Sequence, residues 1–207
     1  MEFTDIHTHM PPAEGKPAIY NCGTEHIAGI KVSAGIHPWN VSDDWEEKFK
    51  IVEAIAQNDN CIAVGECGID KLKGGCTEIQ EEAFRAHAML AEKIKKPLII
   101  HCVKSIDAII AMHKETAPEQ AWIIHGFRGK PQQAMQLIKA GLYVSFGEHF
   151  NAESVKAVPL ERILIESDES RLPIEEIYSL AAEAKGITAE ELACIVRDNA
   201  KKCNMLL

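Results

Sequence analysis

Eight short apolar runs alternate with longer amphipathic stretches along this chain of 207 residues, and the alternation is the strongest constraint on its fold. Several runs are apolar throughout and rich in β-branched residues, which is typical of parallel strands that are covered on both faces. Most of the intervening stretches have the spacing of amphipathic helices. The runs comprise residues 3–7, 18–22, 31–36, 61–66, 98–101, 122–125, 142–145 and 163–167.

This order of elements predicts an α/β fold of the TIM type, a (β/α)8 barrel that is compact and distorted. The distortion lies in shortened first βα connections, because only residues 8–17 join the first two runs and Pro11, Pro12 and Pro17 exclude a helix there. An open α/β sheet is the alternative. No linker or charge block interrupts the chain, so we expect a single domain over residues 1–207.

Two segments have the spacing of a capping box, in which a Ser or Thr precedes a Glu or Gln by three residues. Thr77 and Gln80 form one such pair, and Thr188 and Glu191 form the other. Each pair predicts the start of a helix. His87 lies within the first of these helical patterns, which predicts a surface or helix-packing position for its side chain.

Composition excludes several classes of protein. A hydrophobic content of 46% excludes a disordered chain, and no apolar run reaches the roughly 18 residues that a membrane span needs. The start of the sequence lacks the basic and apolar regions of a signal peptide, and the seven cysteines include no CxxC pair. We therefore expect reduced thiols and a cytoplasmic location. The net charge of −9 argues against broad electrostatic binding to duplex nucleic acid.

Histidines and carboxylates follow the predicted strands at their carboxyl ends, which meet at one mouth of a parallel barrel. In the first strand, Asp5, His7 and His9 share one face because side chains alternate with period two. Imidazoles and carboxylates buried together need a neutralising cation, and this donor set suits zinc, manganese or iron, and magnesium with more water. The ends of other strands carry His37, Glu66, His101, His125 and Asp168.

Six short motifs support a more specific interpretation. In chain order they are Asp5 with His7-Thr8-His9, then Gly35-Ile36-His37-Pro38, Gly65-Glu66-Cys67-Gly68-Ile69-Asp70, Ile100-His101, His125-Gly126-Phe127 and Glu166-Ser167-Asp168. In this order the motifs resemble those of the TatD family of metal-dependent hydrolases, which is similar to the wider amidohydrolase superfamily. The resemblance extends from the first strand to the last.

The resemblance implies a distorted TIM barrel that holds two divalent metal ions and hydrolyses phosphodiesters in DNA, trimming its ends. The metal could be Zn, Mn or Mg. One ion would be held by His7, His9 and Asp168, and the second by His101 and His125. Glu66 would bridge the two ions.

A two-metal site of this kind implies roles for further residues. Two cations would lower the pKa of a shared water molecule and offset the charge that develops in the transition state. Asp168 is the candidate proton acceptor, and Glu66 sets the separation of the ions. His37, Lys104 and Arg128 are the candidate donors to substrate phosphate oxygens.

Three functions remain open at this point. The first is a metal-dependent deoxyribonuclease, the second is a metal-dependent hydrolase of a small-molecule ester, lactone, amide or phosphoester, and the third is a metal-binding barrel without turnover. A nuclease needs a basic groove. Trp39 is the candidate aromatic residue for stacking a base. The candidate cations of the groove are Lys71, Lys73, Lys104, Arg128 and Lys130.

Overall fold

In the computed structural model, which describes residues 2–13 and 15–205, eight strands form one sheet in chain order. Every neighbouring pair of strands is parallel. All eight predicted strands are present. Their bounds are β1 (Asp5–Thr8), β2 (Ala18–Gly23), β3 (Val32–Ala34), β4 (Cys61–Asp70), β5 (Leu98–Val103), β6 (Trp122–Ile124), β7 (Tyr143–Phe146) and β8 (Ile163–Ile165).

The sheet closes on itself where the first strand meets the segment after the last. Thr8 and Asp168 form a parallel β-bridge. The amide N–H of His9 donates to the carbonyl oxygen of Asp168, and the amide N–H of Asp168 donates to the carbonyl oxygen of His7, each over 2.9 Å. This closure confirms the TIM-type barrel and excludes the open sheet.

Helices connect most of the strands. The α-helices are α1 (Trp45–Ala56), α2 (Thr77–Ile94), α3 (Ile106–Thr116), α4 (Pro131–Lys139), α5 (Ala152–Ala157), α6 (Ile174–Lys185) and α7 (Ala189–Lys202), and two 3₁₀ turns span Pro38–Asn40 and Leu160–Arg162. Among the described residues, neither the β1–β2 nor the β2–β3 connection contains a helix, as the prolines and short spacings predict. None of the described helices has the length and apolarity to cross a membrane.

The core surrounds an apolar barrel wall. All ten residues of β4 are buried, and β6 and β8 consist entirely of buried apolar residues. Trp122 at the start of β6 packs edge-on against Phe84 of α2, with ring centroids 5.3 Å apart. Burial on both faces explains why these strands read as continuous apolar runs rather than as alternating patterns.

Only one of the two predicted capping boxes forms. The Thr188 hydroxyl accepts a hydrogen bond from the Glu191 amide, and the Glu191 carboxylate accepts one from the Thr188 amide. The helix start predicted at Thr77 is confirmed, because α2 begins there, but the predicted capping box is wrong, because the cap residue is Cys76. The side chain of Gln80 is buried and its amide oxygen instead accepts a hydrogen bond from the Asp70 amide at 2.8 Å.

His87 is fully buried in α2, so it packs in the interior and does not lie at the surface. Its Nδ1 donates to the Ala83 carbonyl over 2.7 Å, and its Nε2 accepts from the Ile36 amide over 3.0 Å. These partners require the neutral ring. Burial lowers the pKa of His87 from 6.5 to about 4.

This burial predicts acid sensitivity. Between pH 6.5 and pH 4 the unfolded chain protonates His87 while the folded chain does not, so stability from this residue is complete above pH 6.5 and falls as the pH decreases towards 4. The loss is about 3 kcal/mol. Chemical unfolding at pH 7.5 and pH 4 would measure it, with His87→Gln as the comparison. We expect the wild type to lose about 3 kcal/mol more than the variant, and equal losses would contradict the prediction.

Candidate metal centre

Five strands bring the six predicted metal-binding side chains together at one mouth of the barrel. His7 belongs to β1, Glu66 to β4 and His101 to β5. His9 and His125 directly follow β1 and β6, and Asp168 lies in the segment just after β8. The parallel arrangement places the carboxyl ends of all these strands at the same side, which is where TIM barrels carry their chemistry.

Glu66 lies at the centre of this cluster, and its two carboxylate oxygens contact different histidines. Oε2 lies 3.4 Å from Nε2 of His7 and 3.3 Å from Nε2 of His9. Oε1 lies 2.9 Å from Nδ1 of His101 and 2.7 Å from Nε2 of His125. A carboxylate with one oxygen facing each of two imidazole pairs has the arrangement that a bridging ligand requires.

Asp168 completes the first side of the cluster. Its Oδ1 lies 4.0 Å from Nε2 of His7 and 3.7 Å from Nε2 of His9. Two groups of three donor atoms with metal-binding separations include these residues, namely His7, His9 and Glu66, and His7, His125 and Asp168. The backbone hydrogen bonds that close the barrel hold Asp168 in place.

The state of His7 provides a test of whether a metal fits. The residue is fully buried, and neither of its ring nitrogens has a hydrogen-bond partner among the described residues. A buried imidazole with an unpaired nitrogen is unfavourable unless another group takes up its lone pair. The imidazole and carboxylate groups around His7 are donors that suit a divalent cation, so the residues present fit a metal ion.

Electrostatics in the cluster follow from burial and mutual contact. Burial raises the pKa of Glu66, but the charge of His125 and hydrogen bonds from His101, His125 and His37 outweigh it and hold the pKa well below its usual range. Burial lowers the pKa of His125, but Glu66 and Glu166 reverse that effect and hold the pKa well above 6.5. Burial and Glu166 raise the pKa of Asp168. The cluster is thus a buried anionic centre that attracts cations.

Three further residues orient this centre, and sequence reasoning gave none of them a role. The carboxylate of Glu166 accepts from the His125 ring at Nδ1 (3.2 Å), and Nε2 of the same ring faces Glu66 over 2.7 Å. Asp70 accepts from Nε2 of His101 (3.2 Å), and Nδ1 of the same ring faces Glu66 over 2.9 Å. Asn21 on β2 donates to Oε2 of Glu66 over 3.1 Å.

For Glu166 and Asp70, the alternation of side chains along a strand is the signal in the sequence. In an extended strand, residues that differ by an even number of positions share a face, as Asp70 does with Glu66 and, in the sequence pattern, Glu166 with Asp168. β8 itself ends at Ile165. The predicted fourth strand ended at Glu66, whereas β4 continues to Asp70. Residues that receive the second N–H of a metal-binding imidazole select its tautomer and orientation.

Asp5 supports the barrel closure rather than a histidine ring. Its carboxylate accepts hydrogen bonds from the amide and hydroxyl of Ser167 over 3.0 and 2.6 Å, and from the His7 amide over 3.3 Å. Burial raises the pKa of Asp5 to about 7, against the hydrogen bonds from Ser167. Asp5 therefore ties β1 to the segment that carries Asp168.

The predicted substrate-binding residues all line the cavity above the cluster, which has a volume of about 1530 Å³. Nε2 of His37 lies 3.2 Å from Oε1 of Glu66. Arg128 is 60% exposed, and its guanidinium lies 3.9 Å from Asp168. Lys104 and Lys48 also line the cavity, whereas Lys71, Lys73 and Lys130 are not among its lining residues.

Acidic side chains accompany these cations at the cavity. They are Glu25, Asp107 and Glu169, in addition to the carboxylates of the cluster. Of the five candidate cations for a basic groove, only Lys104 and Arg128 line this cavity, and acidic side chains accompany them. Positive charge is concentrated in a few side chains beside the cluster, an arrangement that fits contact with a short stretch of phosphates better than with a long one.

Comparison with known proteins agrees with this geometry. The family model described as TatD related DNase matches residues 13–204. The uncharacterized metal-dependent hydrolase YabD of Bacillus subtilis is 30% identical over 195 residues, which cover 84% of this chain and 76% of the relative. The 3'-5' ssDNA/RNA exonuclease TatD of Klebsiella pneumoniae is 28% identical, over 69% of this chain and 58% of the relative.

A solved structure shows the same fold over nearly the whole length of both chains. YjjV, a TatD homologue from Escherichia coli K12, superimposes with a TM-score of 0.82 over 99% of this chain and 98% of the other, at 20% sequence identity. The family match extends across most of the sequence and includes β4, β5, β6 and β8 with Glu66, His101, His125 and Asp168, whereas β1 with His7 precedes the matched residues. This chain therefore belongs to the TatD-related DNase family and is a metal-dependent hydrolase.

Proposed function

We propose that this hydrolase cleaves phosphodiester bonds at the ends of DNA strands with the help of two divalent metal ions. The observation that carries the proposal is the position of Glu66, whose two oxygens face separate histidine pairs. His7, His9 and Asp168 would hold one ion. His101 and His125 would hold the second, and Glu66 would bridge them.

The protein side chains then have distinct tasks. The bound ions would supply Lewis acidity and lower the pKa of water. Asp168 faces the His7 and His9 side of the cluster and is the candidate acceptor for the proton of the attacking water. Glu166 and Asp70 accept hydrogen bonds from the outer nitrogens of the His125 and His101 rings, so with ions bound the opposite nitrogens would present a lone pair to the metal.

The hydrogen bonds of His37 favour a contact with substrate, although its ring also forms a group of possible metal donors with Glu66 and His101. Its Nδ1 accepts from the amide of Trp39 over 3.1 Å, so the neutral ring must carry its proton on Nε2. That Nε2–H points at the cluster, 3.2 Å from Glu66. A donor in this position suits a phosphate oxygen, and Lys104 and Arg128 add positive charge beside it.

The nuclease name of the Klebsiella relative supports a nucleic-acid substrate. The acidic residues at the cavity favour a second candidate, a small-molecule ester, lactone, amide or phosphoester hydrolase. The two candidates share all proposed ligands. They differ in whether several phosphates contribute to binding, which makes salt dependence the discriminating property.

An end-labelled single-stranded oligonucleotide, incubated with magnesium, manganese and zinc in parallel, tests the proposal. We expect stepwise shortening, with a rate that falls as salt increases and that disappears in Glu66→Gln. Glu82→Gln is the matched control, because Glu82 is exposed on α2 and the substitution makes the same chemical change outside the cluster. Hydrolysis of small esters or lactones by metal-loaded protein that leaves every oligonucleotide intact would establish the second candidate.

A further inference from the structure

Trp39 differs from the other tryptophans of the chain in its exposure at the active-site mouth. Trp122 is buried within the barrel, and Trp45 packs against Phe49 on α1. Trp39 lies in the 3₁₀ turn after β3, is 45% exposed and lines the cavity above the cluster. An exposed indole at the mouth of a polar cavity offers a flat apolar face to a ligand.

Hydrogen bonding fixes the orientation of this indole. Nε1 of Trp39 donates to Oδ2 of Asp70 over 2.7 Å. Asp70 is itself held at the end of β4, because its other oxygen accepts from the amides of Leu72 and Lys73. The ring is therefore oriented before any ligand arrives, so binding to it loses little conformational freedom.

The ring lies close to the reacting centre. Its centroid is 4.7 Å from that of His37 and 6.0 Å from that of His101. These spacings are those of adjacent aromatic rings. A group that stacks on the indole would thus be a direct neighbour of a phosphate bound at the cluster.

One face of the ring already carries a cation. Nζ of Lys73 lies 3.2 Å from the centroid of the Trp39 ring, and the Lys73 side chain is exposed. The contact identifies this face as reachable from solvent and electron-rich. A flat aromatic ligand that stacks on this face would displace the ammonium group.

We propose that Trp39 is the stacking platform for the nucleobase next to the scissile phosphodiester. The inference rests on the proposed nuclease function and adds a base-binding subsite to it. Stacking on an aromatic side chain accepts any base because each base has a π-face. The subsite therefore selects for the presence of a base and not for its identity.

Two single-stranded oligonucleotides provide the test: one carries bases throughout, and the other is abasic at its last two nucleotides. We expect the wild type to cleave the abasic strand about tenfold more slowly in kcat/KM than the normal strand. Trp39→Ala should slow cleavage of the normal strand by a similar factor and abolish the difference between the strands. Trp39→Phe should retain the preference, because phenylalanine stacks but cannot donate to Asp70. Lys73→Ala, the matched loss of a side chain beside the ring, should also retain it.

Specific results would overturn the inference. If Trp39→Ala slowed both strands equally, Trp39 would act only through Asp70 and His101. If the wild type cleaved both strands at the same rate, the platform would be excluded while the nuclease function stood.

A binding measurement separates failure of the platform from failure of the nuclease function. We expect a nucleoside monophosphate to quench the tryptophan fluorescence of the wild type more than ribose phosphate does. That difference should be absent in Trp39→Phe. If no oligonucleotide were cleaved, the nuclease function would fail. Quenching that depends on Trp39 would still support the base subsite in that case. Equal quenching by the nucleoside monophosphate and by ribose phosphate would contradict the base subsite.

Discussion

Glu66→Gln is expected to lower kcat/KM by about 10³-fold and to remove at least one of the two proposed metal ions. Glutamine preserves the shape of the side chain but lacks its charge, and its amide N–H2 would face imidazole nitrogens that now contact a carboxylate oxygen. The reason for so large an effect is the number of contacts that converge on this residue. Glu66 is 2% exposed and contacts His7, His9, His101 and His125 within 3.4 Å.

Elemental analysis of purified protein, combined with steady-state kinetics, would measure both effects. Glu82→Gln should retain the wild-type metal content and turnover, because Glu82 is exposed on α2. Two ions per chain and wild-type turnover in Glu66→Gln would show that this carboxylate does not bridge the ions.

Gly68→Ala is expected to destabilise the fold by at least about 4 kcal/mol, enough to prevent accumulation of folded protein. Gly68 lies in β4 with φ of +144°, which side-chain-bearing residues rarely adopt. A Cβ atom there would lie 2.0 Å from the carbonyl oxygen of His101 on the neighbouring strand. Relief of that clash would require β4 and β5 to separate, and these strands carry Glu66 and His101.

Gly29→Ala is the matched control for this effect. Gly29 also has a positive φ, +83°, but its Cβ would meet no atom within 4 Å. The control measures the backbone strain alone, which costs about 1 kcal/mol. Chemical unfolding of the wild type and both variants would give the free energies. A Gly68→Ala protein as stable as Gly29→Ala would show that the two strands can move apart at low cost.

The order of strands and the gathering of histidines and carboxylates at one end were predictable because each depends on local patterns. Parallel strands that are buried on both faces are apolar along most of their length, so the apolar runs at residues 98–101, 122–125 and 163–167 indicate such strands. Once such strands form a parallel barrel, their carboxyl ends must share one mouth. The six side chains meet there, and their roles as ligands remain part of the proposed function.

The surroundings of the cluster were less predictable because they depend on contacts between distant segments. Gln80 fits a capping box by spacing, yet its side chain binds the backbone of β4 because that strand extends to Asp70. His87 sits on a helical pattern that allows a surface position, but the packing of α2 against the barrel buries it.

The sequence by itself determined the barrel, its missing first helix and the types of side chain at its mouth, since apolar periodicity and proline act over neighbouring residues. Only the tertiary structure decided which groups hold those side chains in position. Glu166 on His125, Asp70 on His101 and Trp39 on Asp70 are contacts between segments separated by 31 to 41 positions. Spacing along a chain does not specify such distances, because they arise from how strands and loops close around a common centre.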